Sequence, residues 1–229
     1  MTMPKELSLY EEIMLLALRD KEGTVHASGM YTYALGGAIL AELLLRGRIR
    51  VDDPKKKLIG LADAHGTGDV LLDECLAKVA AAKKRASVRT WLSRFAGVKR
   101  LKERTALQLC QRGILRADED KVLGIFTRKI YPEIDPRPEH ALIDRLREAV
   151  LSAGRAVEPR TVVLISLARS AEVLKTVFSK AELKERKARI EQIVNGEVVG
   201  KATQEAIEAV RAALVIAAVM PAIVAGATH

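Results

Sequence analysis

The chain has 229 residues, of which 49% are hydrophobic and 29% are charged. This length supports one large domain or two small ones whose core needs no disulfide or metal, and the composition excludes a disordered chain. Lys and Arg number 38 against 29 Asp and Glu, so the net charge of +9 favours a polyanionic partner: nucleic acid, an anionic membrane or a phosphorylated ligand. Aromatic residues make up only 3%, which argues against carbohydrate clefts and single-strand stacking platforms.

In chain order, the first half predicts helices and one hairpin. Ser8 and Glu11 form a capping-box pattern that opens the first helix. A second helix covers about 31–46, and a short hairpin follows from the alternation in 48–51, a turn at 52–54 and a partner strand at 57–61. Asp69 is predicted to cap the next helix, and Gly113 to end the last of this half. These helices are predicted over about 70–84, 87–95 and 98–112.

The second half predicts a second hairpin and then only helices. Apolar residues at 114–115 and 122–126 flank the acidic segment 117–120, which is read as the turn of this hairpin. The helices are predicted over about 139–153, 159–178, 179–195 and 201–220. Since no repeat or flexible linker occurs, we predict a mainly α fold. It is a single compact multi-helix domain over 1–229, with its core at about 7–220 and one or two short β-hairpins.

Neither the cysteines nor the termini indicate secretion or a membrane span. The apolar neighbours of Cys75 and Cys110 predict buried thiols in a reducing compartment. The N-terminus lacks a signal-peptide pattern. The uncharged stretch 212–228 is shorter than the roughly 20 residues of a span, and Pro221 interrupts it. We therefore expect a buried C-terminal helix that ends near Pro221.

Basic residues concentrate between positions 78 and 104, where ten stand against one acid, Glu103. The ten are Lys78, Lys83, Lys84, Arg85, Arg89, Arg94, Lys99, Arg100, Lys102 and Arg104. This clustering predicts a footprint for bilayer or duplex phosphates, while the alternative is a solvated face that only aids solubility. Lys99 and Lys102 are three residues apart, so one helix face is expected to present both ammonium groups to a phosphate.

Sequence patterns of catalysis are missing. No Walker A, G-x-S-x-G or H-E-x-x-H pattern occurs, and the four dispersed histidines do not predict a metal site. The segment 66–68 is interpreted as part of a helix cap rather than a phosphate loop. Gly36 and Gly37 are interpreted as close helix packing, and Trp91 as a core residue. We expect no catalytic residue, no cofactor and no metal.

Five segments carry a pattern that local helix and turn signals do not require. They are LSLYEEIMLLAL at 7–18, ELLLRGRI at 42–49, TGDVLLDE at 67–74, the stretch from Glu103-Arg104 to RGIL at 112–115, and LISLARSAEVL at 164–174. Together they resemble the Golgi phosphoprotein 3 family, whose members are peripheral membrane proteins. The resemblance implies a mostly α fold, no known catalysis and a cytoplasmic protein peripheral on a membrane, at the cytosolic face of the Golgi in a eukaryote. It further implies binding of phosphatidylinositol 4-phosphate by a basic pocket.

The family's pocket carries over only in part. By the resemblance its two later arginines fall at Lys99 and Lys102, with Arg100 and Arg104 nearby as substitutes. The family's tryptophan falls at about Ala27 and its first arginine at Gly36, so this chain lacks both the aromatic ring and the guanidinium at these positions. A divergent member, including a prokaryotic one, could dock on bulk anionic lipid instead.

The resemblance also implies an apolar hairpin that contacts the membrane and supports self-association. Its candidate tips here are Leu123, Ile125 and Phe126. Cytoplasmic tails of membrane proteins are further implied partners. Two alternatives stay open: a duplex nucleic-acid binder, because a basic helix beside a hairpin is also how winged-helix proteins are built, and a protein-tail scaffold without lipid specificity.

Overall fold

The computed structural model describes residues 6–19, 24–25, 30–53, 57–122, 126–152 and 154–226. Most of these residues are helical, which confirms the predicted mainly α fold. The buried apolar side chains form one continuous core that runs from Leu9 to Met220.

Helix α2 (Tyr31–Leu45) is the centre of this core, because its own apolar and small residues are buried on every face of the helix. Helix α1 (Leu9–Ala17) packs against it, and the backbone N–H of Ser8 donates to Glu11 at 2.8 Å as the predicted capping box requires. Helix α11 (Gln204–Gly226) and helix α4 (Val88–Ala96) cover other sides of α2.

The remaining helices surround this centre. They are α3 (Val70–Ala80), α5 (Leu101–Gln111), α6 (Arg137–Leu151), α7 (Pro159–Ser170), α8 (Leu174–Val177), α9 (Lys180–Glu185) and α10 (Lys187–Val194). Asp69 accepts bonds from the backbone N–H groups of Leu71 and Leu72 and so caps α3 as predicted. Gly113, with φ of +72°, ends α5 in the left-handed conformation that glycine adopts freely.

Short antiparallel strands connect the helices. Strands β1 (Leu18–Arg19) and β2 (Thr24–Val25) form a pair that the sequence pattern does not reveal. The predicted hairpin is present as β3 (Ile49–Asp53) and β4 (Leu58–Leu61), and β5 (Ala86–Ser87) adds to β4. Strands β6 (Asp118–Val122) and β7 (Phe126–Ile130) form the last pair.

The second hairpin has its turn at a different place from the predicted one. Asp118, Glu119 and Asp120 lie within β6 and pair with β7, so the acidic segment is a strand and not a turn. Strand β6 instead continues to Val122, and β7 begins at Phe126. The prediction failed because three consecutive acidic residues have low strand propensity, and cross-strand partners such as Arg128, which pairs with Asp120 at 2.8 Å, compensate for it.

Several predicted helices also have different boundaries. The helix expected over 159–178 is interrupted where Glu172 adopts φ of +63°, and the next one divides at Arg186 into α9 and α10. The C-terminal helix does not end near Pro221, because α11 continues to Gly226. Proline removes one backbone N–H donor, which bends or weakens a helix without always ending it.

Carboxylates buried on α1 and α2 are matched by arginines from later helices. Glu11, which is 1% exposed, receives both Nε and a terminal nitrogen of Arg112 at 2.8 and 2.9 Å. Glu12 receives Arg145 of α6 at 2.7 Å. Burial raises the pKa of Glu11 and of Glu12 in spite of these cations, so desolvation is the larger effect at both positions.

Replacing Arg112 with Met is expected to lower the free energy of unfolding by about 3–5 kcal/mol, because Glu11 then stays buried without its cation. Urea unfolding of the purified chain measures this loss. The matched control is Arg137→Met, which breaks an ion pair with Asp135 in which the Arg137 side chain is 88% exposed. The control should leave stability nearly unchanged, because an exposed ion pair contributes little. Equal losses in both variants would contradict the role given to Glu11.

Candidate anion-binding site

The region between α4 and α5 holds the four cationic side chains predicted for the headgroup. Helix α4 ends at Ala96 and α5 begins at Leu101, with Arg100 in the left-handed conformation at φ of 57°. Lys99 therefore lies in the turn and Lys102 in the first turn of the helix. The expectation that both share one helix face was wrong, since the spacing argument applies only where both residues are helical.

Lys99 and Lys102 are both exposed, and neither forms an ion pair with a described residue. The ammonium of Lys102 lies 5.3 Å from the ring centroid of Tyr31, the first residue of α2. Such a cation–π contact orients the lysine without neutralising it. The start of α5 and the start of α2 thus meet at a cation that remains available to an anion.

Arg100 and Arg104, the two predicted substitutes, are already engaged with carboxylates. The Arg100 guanidinium contacts both carboxylate oxygens of Glu103, and Arg104 lies 2.6 Å from Glu74 of α3. The hydrogen bond from Arg100, followed by that from Lys129, holds the pKa of Glu103 at about 2, so this carboxylate is ionised at neutral pH. An incoming anion would have to compete with these carboxylates for either arginine.

Glu103 also joins the β6–β7 hairpin to the start of α5. Lys129 of β7 donates to Glu103 at 2.6 Å, so the hairpin lies beside the turn that carries Lys99. Of the three predicted apolar tips, Leu123 and Ile125 lie outside the described residues. Phe126 opens β7 opposite Val122, and its side chain is likewise outside the described part. Their contact with a membrane stays a prediction.

Gly36 lies where α2 and α4 approach each other most closely. A Cβ at this position would be 2.6 Å from the backbone nitrogen of Ala96, a separation that real Cβ atoms do not adopt. The helix packing predicted for this glycine is confirmed, and no side chain, arginine included, fits there. Ala27, the other position where the family's chemistry is missing, lies outside the described residues.

Trp91 and the loop before α3 have structural roles. Trp91 is 1% exposed and packs on Phe95 with ring centroids 5.4 Å apart, which confirms it as a core residue. Asp69 accepts a bond from the Tyr10 hydroxyl at 2.5 Å. Burial acts to raise the pKa of Asp69, but hydrogen bonds, that of Tyr10 first, outweigh it and lower the pKa. In the segment before Asp69, the backbone N–H and the hydroxyl of Thr67 donate to Asp73 of α3 at 2.6 and 2.8 Å, so this segment is part of the helix cap.

The rest of the basic cluster divides into paired and unpaired cations. Lys78 pairs with Glu74 at 2.8 Å, and Arg85 pairs with Asp52 at 3.1 Å. Lys83, Lys84 and Arg89 are exposed, and no carboxylate of the described residues pairs with them. Residues 6–19, 24–25, 30–53, 57–122, 126–152 and 154–226 contain no group of three His, Cys, Asp or Glu that could hold a metal ion. None of the helices in these ranges has the length and apolarity to cross a bilayer.

Comparison with known proteins decides the family. The sequence profile described as Golgi phosphoprotein 3 (GPP34) matches residues 9–210. This chain belongs to the Golgi phosphoprotein 3 family. Vacuolar protein sorting-associated protein 74 of Eremothecium gossypii is 30% identical over 213 residues, an alignment that covers 79% of this chain but only 64% of that relative. The resemblance read from the motifs is thereby confirmed.

Sequence reasoning missed two residues that organise this site of the family fold. Tyr31 was assigned only to a helix start, and Lys129 lies beyond the predicted hairpin strand at 122–126 and was not singled out. The cation–π contact joins Lys102 to Tyr31, which is 71 positions away in the sequence. The ion pair joins Lys129 to Glu103, which is 26 positions away. No local pattern indicates either contact. The only signal for this site in the sequence was the cluster of basic residues between positions 78 and 104, which contains a single acid.

Replacing Gly36 with Ala is expected to lower the free energy of unfolding by about 1–3 kcal/mol, because the new methyl group must push α4 away from α2. Thermal and urea unfolding measure the effect. Gly200→Ala is the control, since its Cβ would meet the nearest atom at 3.6 Å, an ordinary contact. If Gly36→Ala is as stable as Gly200→Ala, the close approach of the helices is not a constraint.

Proposed function

We propose that this chain is a non-catalytic peripheral membrane protein that binds anionic lipid headgroups at the start of α5. The observation that carries the proposal is the exposed pair Lys99 and Lys102, which keep their charge uncompensated by any described carboxylate while the neighbouring Arg100 and Arg104 are paired. Unpaired cations on an exposed turn attract anions, whereas paired ones contribute little beyond short range.

Family membership supports a membrane role in trafficking. Members of the family are peripheral proteins whose basic pocket reads phosphatidylinositol 4-phosphate, and the related fungal protein carries a vacuolar protein-sorting name. By the resemblance, Lys99 and Lys102 fall at the positions of that pocket's later arginines. Each cation near an anionic surface contributes about 1 kcal/mol, so the two lysines with Lys83, Lys84 and Arg89 suffice for reversible docking if they face the bilayer together.

Headgroup selectivity rests on fewer contacts than in the family pattern. An ammonium group is a point charge and lacks the two-pronged geometry of a guanidinium, and Gly36 leaves no room for the family's first arginine. We therefore propose that phosphatidylinositol 4-phosphate binds here as one of several anionic lipids. Self-association through the hairpin and capture of cytoplasmic tails are further proposals that follow from the family alone.

The double variant Lys99→Glu/Lys102→Glu is expected to lose vesicle binding. Removal of two charges corresponds to roughly 30-fold in affinity and their reversal to more. Sedimentation with anionic vesicles measures binding, and circular dichroism checks that the helices persist. The control Lys180→Glu/Lys184→Glu changes net charge equally on α9, where both lysines are exposed. A comparable loss in the control would show that net charge, and not this surface, decides binding.

Vesicles of neutral lipid, bulk anionic lipid and phosphatidylinositol 4-phosphate, compared at matched charge and two salt concentrations, test selectivity. We expect all anionic vesicles to bind, with binding falling steeply at the higher salt. A strong preference for the 4-phosphate at matched charge would contradict the broad selectivity proposed here. Absence of binding to every anionic vesicle would overturn the function itself.

A further inference from the structure

A cavity of about 360 Å³ lies between the β3–β4 hairpin, the start of α4 and the middle of α11. Its volume falls within the range of small-molecule sites, about 300–1,000 Å³. Its described lining consists of Val51, Lys57, Val88, Glu208, Arg211, Ala212, Leu214 and Val215. It differs from the proposed headgroup site in both position and chemistry.

The walls of this cavity are apolar and its charges are few. Val51, Val88, Ala212, Leu214 and Val215 supply aliphatic surface, while the exposed Lys57 and Arg211 supply two cations. Neither cation pairs with a carboxylate of the described residues. Such a combination suits a molecule with an apolar body and an anionic end.

Glu208 is the third charged residue of the described lining, and it limits how much negative charge a ligand in the cavity should carry. Its carboxylate accepts a hydrogen bond from the backbone N–H of Val51 at 3.1 Å, which ties α11 to β3. Among the described lining residues, two cations and one carboxylate leave one positive charge in excess. That excess complements one carboxylate group better than a dianionic phosphate monoester.

Backbone hydrogen bonds fix the cavity's frame before any ligand binds. The N–H of Val88 donates to the carbonyl of Lys57 at 3.0 Å and joins the hairpin to the start of α4. With the bond between Val51 and Glu208, this contact holds all three elements in place. A cavity fixed in this way loses little conformational entropy when it is filled.

Helix α4 separates the cavity from the headgroup site. Val88 is the first residue of α4 and lines the cavity, whereas the last residue, Ala96, leads into the turn that holds Lys99. Eight helical steps of about 1.5 Å place the two ends about 12 Å apart. One ligand headgroup cannot occupy both sites.

We propose that this cavity binds a single long-chain carboxylate of the fatty-acid class. The acyl chain lies against the aliphatic residues of α11 and β3, and the carboxylate lies at the solvent mouth with Arg211 and Lys57. Arginine is suited to this role because its guanidinium donates two parallel hydrogen bonds to a carboxylate. The proposal does not depend on lipid binding at Lys99 and Lys102.

Calorimetric titration of the full chain with decanoate below its micellar concentration tests the proposal. We expect saturable binding at one site. Decyltrimethylammonium has the same chain with the opposite charge and should bind at least tenfold more weakly, and acetate, which lacks the chain, should not bind detectably. Uptake of decanoate that does not saturate, or equal affinity for decyltrimethylammonium, would mean unspecific adsorption and overturn the proposal.

Two variants locate the site. Arg211→Gln should weaken decanoate binding at least tenfold, and Val215→Trp should abolish it by filling the cavity. The controls are Lys201→Gln, an exposed cation outside the cavity, and Leu107→Trp on the exposed side of α5; both should bind like the original chain. Since Arg211 is exposed, Arg211→Gln keeps the test valid if Val215→Trp unfolds, and unchanged binding in Arg211→Gln would overturn the site.

Vesicle sedimentation of the same proteins separates this site from the proposed function. Arg211→Gln should sediment with anionic vesicles like the original chain, while Lys99→Glu/Lys102→Glu should lose vesicles and keep decanoate. Loss of decanoate binding in Lys99→Glu/Lys102→Glu would place the carboxylate at the start of α5 and contradict a separate cavity site.

Discussion

Glu11, Glu12 and Glu42 are carboxylates that the fold buries to 3% exposure or less, and each of them contacts an arginine from another part of the chain. Arg112 follows α5, Arg145 lies on α6 and Arg160 on α7, with Arg160 3.1 Å from Glu42. Burial of an unpaired carboxylate costs several kcal/mol. Helix α1 therefore reaches its buried position only when α6 and the end of α5 supply cations in the correct register, while Glu42 of α2 pairs with the neighbouring Arg46 as well as with Arg160.

This constraint determines where the candidate anion site can form. Arg112 fixes the end of α5 against α1, and the same helix begins next to Tyr31, where Lys102 lies over the ring. Glu103 then holds the β6–β7 hairpin beside that start. A buried ion pair at one end of α5 thus positions exposed, unpaired cations at the other end. The end of α5 is thus held by the ion pair of Arg112 with the buried Glu11, and its exposed start carries cations that an anion can reach.

The close contact between α2 and α4 gives this member of the family its own chemistry. Gly36 permits the helices to approach to backbone distance, and the same approach leaves no room for the arginine that the resemblance implies at this position. What remains at the proposed headgroup site is two lysines, whose ammonium groups lack the two-pronged geometry of a guanidinium. At the opposite end of α4 lies the cavity beside α11, whose described lining combines aliphatic side chains with the cations of Lys57 and Arg211. Helix α4 therefore lies between two regions of different chemistry. Its last residue leads to the exposed lysines, and its first residue lines the cavity together with aliphatic and cationic side chains.

The sequence alone determined the features that depend on neighbouring residues. Periodicity and caps gave the helices at Leu9–Ala17, Tyr31–Leu45 and Val70–Ala80 with small boundary errors, and the motifs gave the family. Counting basic residues along the sequence located the basic cluster, but it did not show which of these cations are paired with carboxylates and which are not. Whether Arg104 meets Glu74, or Lys129 meets Glu103, depends on how helices and strands far apart in the chain are packed. The turn that places Lys99 outside α5 and the strand made of Asp118, Glu119 and Asp120 also needed the tertiary structure, because packing and cross-strand ion pairs outweighed local propensity there.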